Sequence, residues 1–126
     1  MVGIVIVSHS EKLAAGVLDA TKIMANGCPI AMAGGADDGG YGTSYEKIRN
    51  AIEKVYSESG VIVLVDMGSA VMTTEMVIED LGYGNVLLVD CPIAEGAIAA
   101  SLSSCCGDDL ETVKVQALTT KTDSKW

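Results

Sequence analysis

The sequence predicts an α/β fold: a doubly wound, four-stranded parallel sheet in the order 2-1-3-4 with helices on both faces. Three observations predict it. The β-branched runs VGIVIV (2–7) and VIVLVD (61–66) show almost no polar alternation, the habit of strands buried on both faces of a parallel sheet. Each strand is followed by a segment whose apolar residues recur every three or four positions, long enough for one crossover helix. No hairpin signal joins any two strands, and right-handed crossovers then most simply give the order 2-1-3-4.

The elements follow in chain order. After Ser8, His9 and Ser10, the apolar positions Leu13, Val17, Thr21 and Met24 form a helical stripe. Ala14, Leu18 and Ala25 widen it, and it closes near Asn26 and Gly27. Ile30 to Ala33 is a short second strand, and GGADDGGYG (34–42) is too rich in glycine for a regular element. Thr43 with Glu46 three residues on is a capping box ahead of Tyr45, Ile48, Ile52, Val55 and Tyr56, so the second helix starts at about Ser44. Gly60 precedes the strand that ends on Asp66. Ser69 to Leu81 carries Val71, Met72, Met76, Val77 and Leu81 at helical spacing, and Gly82-Tyr83-Gly84 turns the chain into NVLLVD (85–90). Pro92 suits the first turn of a small-residue helix reaching about Cys106. Asp108 and Glu111 repeat the capping-box spacing before a last helix with Leu110, Val113, Ala117 and Leu118. These elements make one domain over 1–118, and TTKTDSKW (119–126) reads as a frayed polar tail or an appended remainder.

Composition bounds the function. A chain of 126 residues has room for one core. With 49% hydrophobic residues, 4% aromatics and no Phe, that core must be built from Val, Ile, Leu, Ala and Met. Eight Lys plus Arg against 17 Asp plus Glu give a net charge of -9, which excludes nucleic acid as a partner and disfavours an anionic membrane surface. No apolar run approaches a spanning helix, and MVGIVIVSHS has no basic start with a cleavage site, so the expected compartment is the cytoplasm. Cys28, Cys91, Cys105 and Cys106 form no CxxC pair and have one histidine to join them, which argues against a metal or disulfide framework and for small buried hydrophobes.

In such a sheet the ligand crevice lies at the carboxyl ends of the strands where the order reverses, here between strands one and three. His9 lies just past strand one and Asp66 ends strand three, so a hydrogen bond from ring to carboxylate is within reach across neighbouring strands about 4.8 Å apart. A carboxylate on one ring nitrogen fixes the tautomer and leaves the other nitrogen free to attack an electrophile. Without that partner, His9 is an ordinary turn residue. Ser8, Ser10, Gly68 and Ser69 stand around the same crevice at two helix starts, which favour anions and point to phosphorus as the electrophile. Taken singly, each serine is also a plain N-cap. The glycine loop, with Gly35, Asp38 and Gly42, should reach the rim; Asp37 and Asp38 more simply solvate a turn than hold a divalent ion. Met67, Val71 and Met72 flank the opposite rim, as core or as an apolar contact for a protein donor. There is no GxxxxGK[ST] and no basic residue in 1–11 or 60–91, so the site suits a transferred phosphoryl group better than a nucleotide.

VIVSHS (5–10), GGADDGGYGTS (34–44), LVDMGSA (64–70) and CPIAEGAIAAS (91–101), in that order and spacing, resemble one family over nearly the whole chain. It is the phosphotransferase subunit of the bacterial phosphoenolpyruvate-dependent dihydroxyacetone kinase, whose fold is that of the mannose-type IIA domains of the sugar phosphotransferase system. The resemblance implies a phosphotransferase without a cofactor. His9 would accept a phosphoryl group from HPr on Nε2, with Asp66 orienting the ring through Nδ1. The group would then pass to ADP on the nucleotide-binding subunit of the kinase. A homodimer is implied as well. Three other readings stand beside it. A mannose-type IIA domain feeding a sugar transporter would usually carry a Trp in the segment after strand three, which is missing here. A phospho-aspartyl receiver would need an acidic pair after strand one and a later lysine. The third is a non-enzymatic binding module.

Overall fold

A computed structural model describes residues 1–125 of the chain. The β-branched runs become β1 (Gly3–Ser8) and β3 (Val61–Val65), joined by β2 (Ile30–Gly34) and β4 (Val86–Val89). All pair in parallel, in the order β2-β1-β3-β4 that the crossovers predict. Between and after them lie α1 (Glu11–Met24), α2 (Tyr45–Val55), α3 (Gly68–Leu81), α4 (Ile93–Cys105) and α5 (Leu110–Thr119).

Every residue of β1 is buried because the sheet is covered on both faces. Alternate side chains point to opposite faces. Ile4, Ile6, Ile62 and Leu64 meet Ala14 and Val17 of α1, Ala97 and Ala100 of α4, and Val113 and Ala117 of α5. Val5, Val7, Val61 and Val63 meet Ile48, Ala51, Ile52 and Val55 of α2 and Ala70 and Val77 of α3. Both layers are aliphatic, and truncating one of the fully buried isoleucines to alanine should cost about 2–5 kcal/mol. The helices approach closely because their inner faces carry small residues. Gly34 marks the tightest approach near the site: a Cβ there would lie 2.7 Å from the Glu11 Cα and 3.0 Å from the Ala14 Cβ.

Several local expectations are corrected. The buried stripe of α1 is Ala14, Val17 and Thr21, with Ala25 beyond its end, while Leu13 and Met24 are exposed. The buried stripe of α3 is Ala70, Thr74 and Val77, and Met72 and Met76 face outward. Both helices turn Ala, Val and Thr toward the sheet and leave their methionines outside. The cap of α2 is Ser44 and not Thr43: Ser44 has the extended backbone an N-cap needs, its hydroxyl accepts from the Lys47 N–H, and Thr43 turns to the Thr73 hydroxyl at 3.2 Å. Likewise Asp109, not Asp108, caps α5 by accepting from the Thr112 N–H, and Asp108 accepts from the Ser103 hydroxyl. Of the four cysteines only Cys91 is buried; Cys28 and Cys105 are half-buried and Cys106 is exposed. The helix α5 runs one residue past 118, and two ion pairs, Lys121–Asp90 and Lys125–Glu95, tie the following segment to the start of α4. Trp126, the last residue of the expected tail, lies outside the described residues. No helix among the described residues is long and apolar enough to cross a membrane.

Candidate functional site

The register of the two central strands builds the site. Val7 pairs with Val65, so Ser8 and Asp66 leave the sheet side by side. The Asp66 carboxylate then gathers four donors. Oδ2 accepts from the Ser8 hydroxyl (2.8 Å) and the His9 backbone N–H (3.0 Å). Oδ1 accepts from His9 Nδ1 (2.9 Å) and the Met67 N–H (2.8 Å). Burial opposes the charge on Asp66, but the hydrogen bonds from the His9 ring, the Ser8 hydroxyl and the His9 N–H outweigh it. The carboxyl is held below its ordinary range. A carboxylate offers only acceptors, so in the neutral ring the proton sits on Nδ1 and Nε2 keeps its lone pair. That lone pair points at the Ser69 hydroxyl, which hydrogen-bonds to it.

Asp66, His9 and Ser69 therefore form one line from the floor of the crevice to its mouth. His9 is the half-open member, its side chain 22% exposed against 9% for Asp66. Ser69 stands in the first turn of α3, whose N-cap is Met67 and which has no side-chain cap, unlike α1, α2 and α5. Its first backbone N–H groups and dipole are thus left facing the ring, an arrangement suited to an anion. Gly68 sits beside Ser69 with open space where a Cβ would be, so packing within this chain does not demand a glycine there.

Ser10 plays a different part from Ser69. Its hydroxyl accepts from the Leu13 N–H as the N-cap of α1, while its own N–H donates to Ser8 Oγ. The glycine loop does reach the rim through its backbone: the Gly35 N–H donates to the Ser8 carbonyl and the Gly42 N–H to the His9 carbonyl, both at 3.0 Å. Both glycines have positive φ, 77° and 143°, which other residues adopt only under strain. Asp38 stays within the loop, accepting from the Gly40 N–H, and Asp37 accepts from the Ser44 hydroxyl. Among the described residues no three His, Cys, Asp or Glu side chains converge as a metal would require. Met67 and Met72 are exposed at the α3 side of the mouth. On the α1 side a cleft of about 510 Å3 opens between Ser10, Lys12 and Ala15 and the loop residues Gly39, Gly40 and Tyr41.

Two contributions escaped the sequence reading. Ser8 is the joint of the β1–α1 turn, donating to Asp66 and accepting from Ser10, where spacing marked it only as a residue of the crevice. Lys47 clamps the loop, its ammonium donating to the Gly34 (3.0 Å) and Ala36 (2.9 Å) carbonyls. A lysine in the first turn of a helix opposes the macrodipole, and that misfit was the available signal that it serves another group.

Against known proteins, the family EIIA-man, described as the PTS system fructose IIA component, matches residues 3–114. The chain belongs to this family. Among curated EIIA-man relatives, it is 40% identical over 99 residues to the PEP-dependent dihydroxyacetone kinase 1, phosphoryl donor subunit of Listeria innocua, covering 79% of this chain and 78% of that one. It is 38% identical over 125 residues to the corresponding phosphoryl donor subunit of Escherichia coli, covering 94% of this chain. It spans only 26% of that longer relative. The crystal structure of EF1359, a protein of unknown function, superposes over 100% of this chain and 99% of that one with a TM-score of 0.82 at 26% identity.

Proposed function

We propose that this EIIA-man chain is a phosphohistidine carrier that takes a phosphoryl group from HPr and delivers it to ADP bound on the nucleotide-binding subunit of a dihydroxyacetone kinase. The observation that best supports the reading is the Asp66–His9–Ser69 line, which presents a deprotonated Nε2 at the uncapped start of α3. In the first step the Nε2 lone pair attacks phosphorus; an N–P bond forms while the donor's N–P bond breaks and its electron pair returns to the donor ring. The His9 ring becomes cationic with its proton still on Nδ1, and the Asp66 carboxylate balances that charge across the 2.9 Å hydrogen bond. In the second step a terminal oxygen of ADP attacks the same phosphorus, and the N–P electrons return to Nε2. Phosphoryl transfer asks for alignment and charge stabilisation rather than proton chemistry, which the backbone N–H groups of Gly68 and Ser69 and the Ser69 hydroxyl are placed to supply. Ser10 and the α1 start flank the group on the other side, and Gly35, Asp38 and Gly42 belong to the rim on which donor and acceptor dock in turn.

The likeness to phosphoryl donor subunits supports the kinase as acceptor. The proposal extends to a homodimer working in the cytoplasm in glycerol metabolism, which the family resemblance of the sequence implies. A IIA component of a sugar transporter would use identical chemistry at His9, so the acceptor separates the two. The chain should take label from phosphoenolpyruvate in the presence of enzyme I and HPr, and that label should be acid-labile and base-stable. His9→Ala should take none while keeping its fold, because the histidine is the only one in the sequence and lies in a turn. Label must then chase to the ADP-loaded kinase subunit. Acid-stable label, label on His9→Ala, or chase only to a transporter IIB domain would each refute the corresponding part.

A further inference from the structure

At the opposite end of the sheet from His9, two thiols converge on one carbonyl. Cys28 lies in the connection from α1 to β2, and Cys105 is the last residue of α4, 77 positions away. Cys28 Sγ donates to the Ala25 carbonyl at 3.6 Å, and Cys105 Sγ donates to the same oxygen at 3.7 Å and to the Asn26 carbonyl at 3.8 Å. From these contacts we infer that Cys28 and Cys105 are a reversible redox modification site, closing into an intramolecular disulfide when the chain meets a small-molecule disulfide.

The other pairings are poor. Cys91 is buried under α4, where even a Cβ on Gly96 would lie 2.3 Å from its sulfur. Cys106 is exposed and adjacent to Cys105, but successive residues at a helix end do not face one another. Cys28 and Cys105 are both half-buried and share the Ala25 carbonyl as acceptor. Burial and the neighbouring Cys105 thiol push Cys28 up to about 11, so it remains protonated and Cys105 is the sulfur that attacks first. The Cys105 thiolate attacks one sulfur of the oxidant; a mixed disulfide forms, the oxidant's S–S bond breaks and its first thiolate leaves. Cys28 then releases its proton to solvent and attacks Cys105 Sγ, expelling the second thiolate. Two protein thiols are oxidised and one disulfide is reduced to two thiols. The crosslink joins the approach to β2 with the end of α4, so it constrains the unfolded chain across most of its length.

The test uses the whole chain and oxidised glutathione, with thiols counted after denaturation and disulfides mapped by proteolysis and mass spectrometry. Two of the four thiols should disappear without added glutathione mass. One peptide pair should join Cys28 to Cys105, and the oxidised chain should melt at a higher temperature, returning to the starting value on reduction. Cys106→Ser should behave like the parent, and Cys28→Ser should retain glutathione on Cys105 instead of closing. Four free thiols after exposure, a Cys105–Cys106 bridge, adducts confined to Cys106, or unchanged loss of two thiols in Cys28→Ser would each overturn the assignment. Phosphoryl uptake at His9 does not enter these readouts, so they stand whether or not the carrier reading does.

Discussion

Replacing Asp66 with asparagine keeps the size of the side chain and removes what its four donors need. The carboxylate takes two hydrogen bonds on each oxygen, whereas an amide has one oxygen and one NH2. If the NH2 stands at the Oδ1 position, it confronts the Met67 N–H and can satisfy His9 only by turning Nδ1 into an acceptor, which moves the ring proton to Nε2. If it stands at the Oδ2 position, it confronts the His9 N–H and forces the Ser8 hydroxyl to turn. Either way one backbone donor is left unpaired, which costs about 1–3 kcal/mol of stability. The charge-assisted bond to the ring is worth about 1.5–3 kcal/mol, so its loss alone slows transfer roughly 10- to 100-fold. Where the NH2 faces the ring the inverted tautomer deepens the defect, and in that orientation Asp66→Asn should take up phosphoryl from phosphorylated HPr about 100-fold more slowly. Rapid-quench labelling gives the rate, and a thermal melt shows that the variant is folded when assayed. Uptake within a few-fold of the parent in a folded variant would refute the account of the tautomer.

Three further outcomes follow from the geometry. Because the Asp66 carboxyl is held below its ordinary 3.8, the native state binds fewer protons than the unfolded one; its contribution is complete above that pH and is lost as pH falls through the lowered native value. The difference in urea midpoint between parent and Asp66→Asn should therefore be constant above about pH 4 and shrink below it, and a gap that widens on acidification would contradict the sign. Gly34→Ala, with its 2.7 Å clash against the Glu11 backbone, should lose about 1–3 kcal/mol, whereas Gly68→Ala should melt like the parent yet take up phosphoryl more slowly; equal uptake would place the phosphoryl group elsewhere. Lys47→Met should take the ammonium away from the Gly34 and Ala36 carbonyls, leaving Ala36 with the Gly39 N–H, lowering the melting temperature by several degrees and hastening proteolytic nicking between 35 and 42.

The strand order and the meeting of His9 with Asp66 were legible in the sequence because both follow from topology: a parallel sheet forces the ends of β1 and β3 together whatever the side chains are. Helix faces were less legible. A periodicity read from large residues placed Leu13, Met24, Met72 and Met76 inward. Ala14, Val17, Thr21 and Val77 of the same stripes do lie inward, but the structure also buries Ala70 and Thr74, which that periodicity passed over, since close helix-to-sheet packing favours small side chains when the core contains no Phe. The caps at Ser44 and Asp109 were each missed by one residue, because a Thr-Ser or Asp-Asp pair offers two candidate acceptors and only the backbone conformation chooses between them. The Ser8 hydroxyl serves a carboxylate 58 positions away and Lys47 serves the carbonyls of a loop, contacts that no local pattern around either residue records.

The strand that carries the histidine is paired on both sides, to β2 from Ile4 to Ser8 and to β3 from Gly3 to Val7. Its amides can exchange with solvent only when the whole molecule opens, an event opposed by about 5–15 kcal/mol in ordinary domains. The edge strands β2 and β4 can fray without disturbing it. His9 is consequently rooted in the least mobile backbone of the chain while its ring stands at the surface. In the proposed carrier role, such a group would offer two successive partners the same nitrogen in the same place, and adaptation on encounter would fall to the glycine loop and the methionines at the mouth.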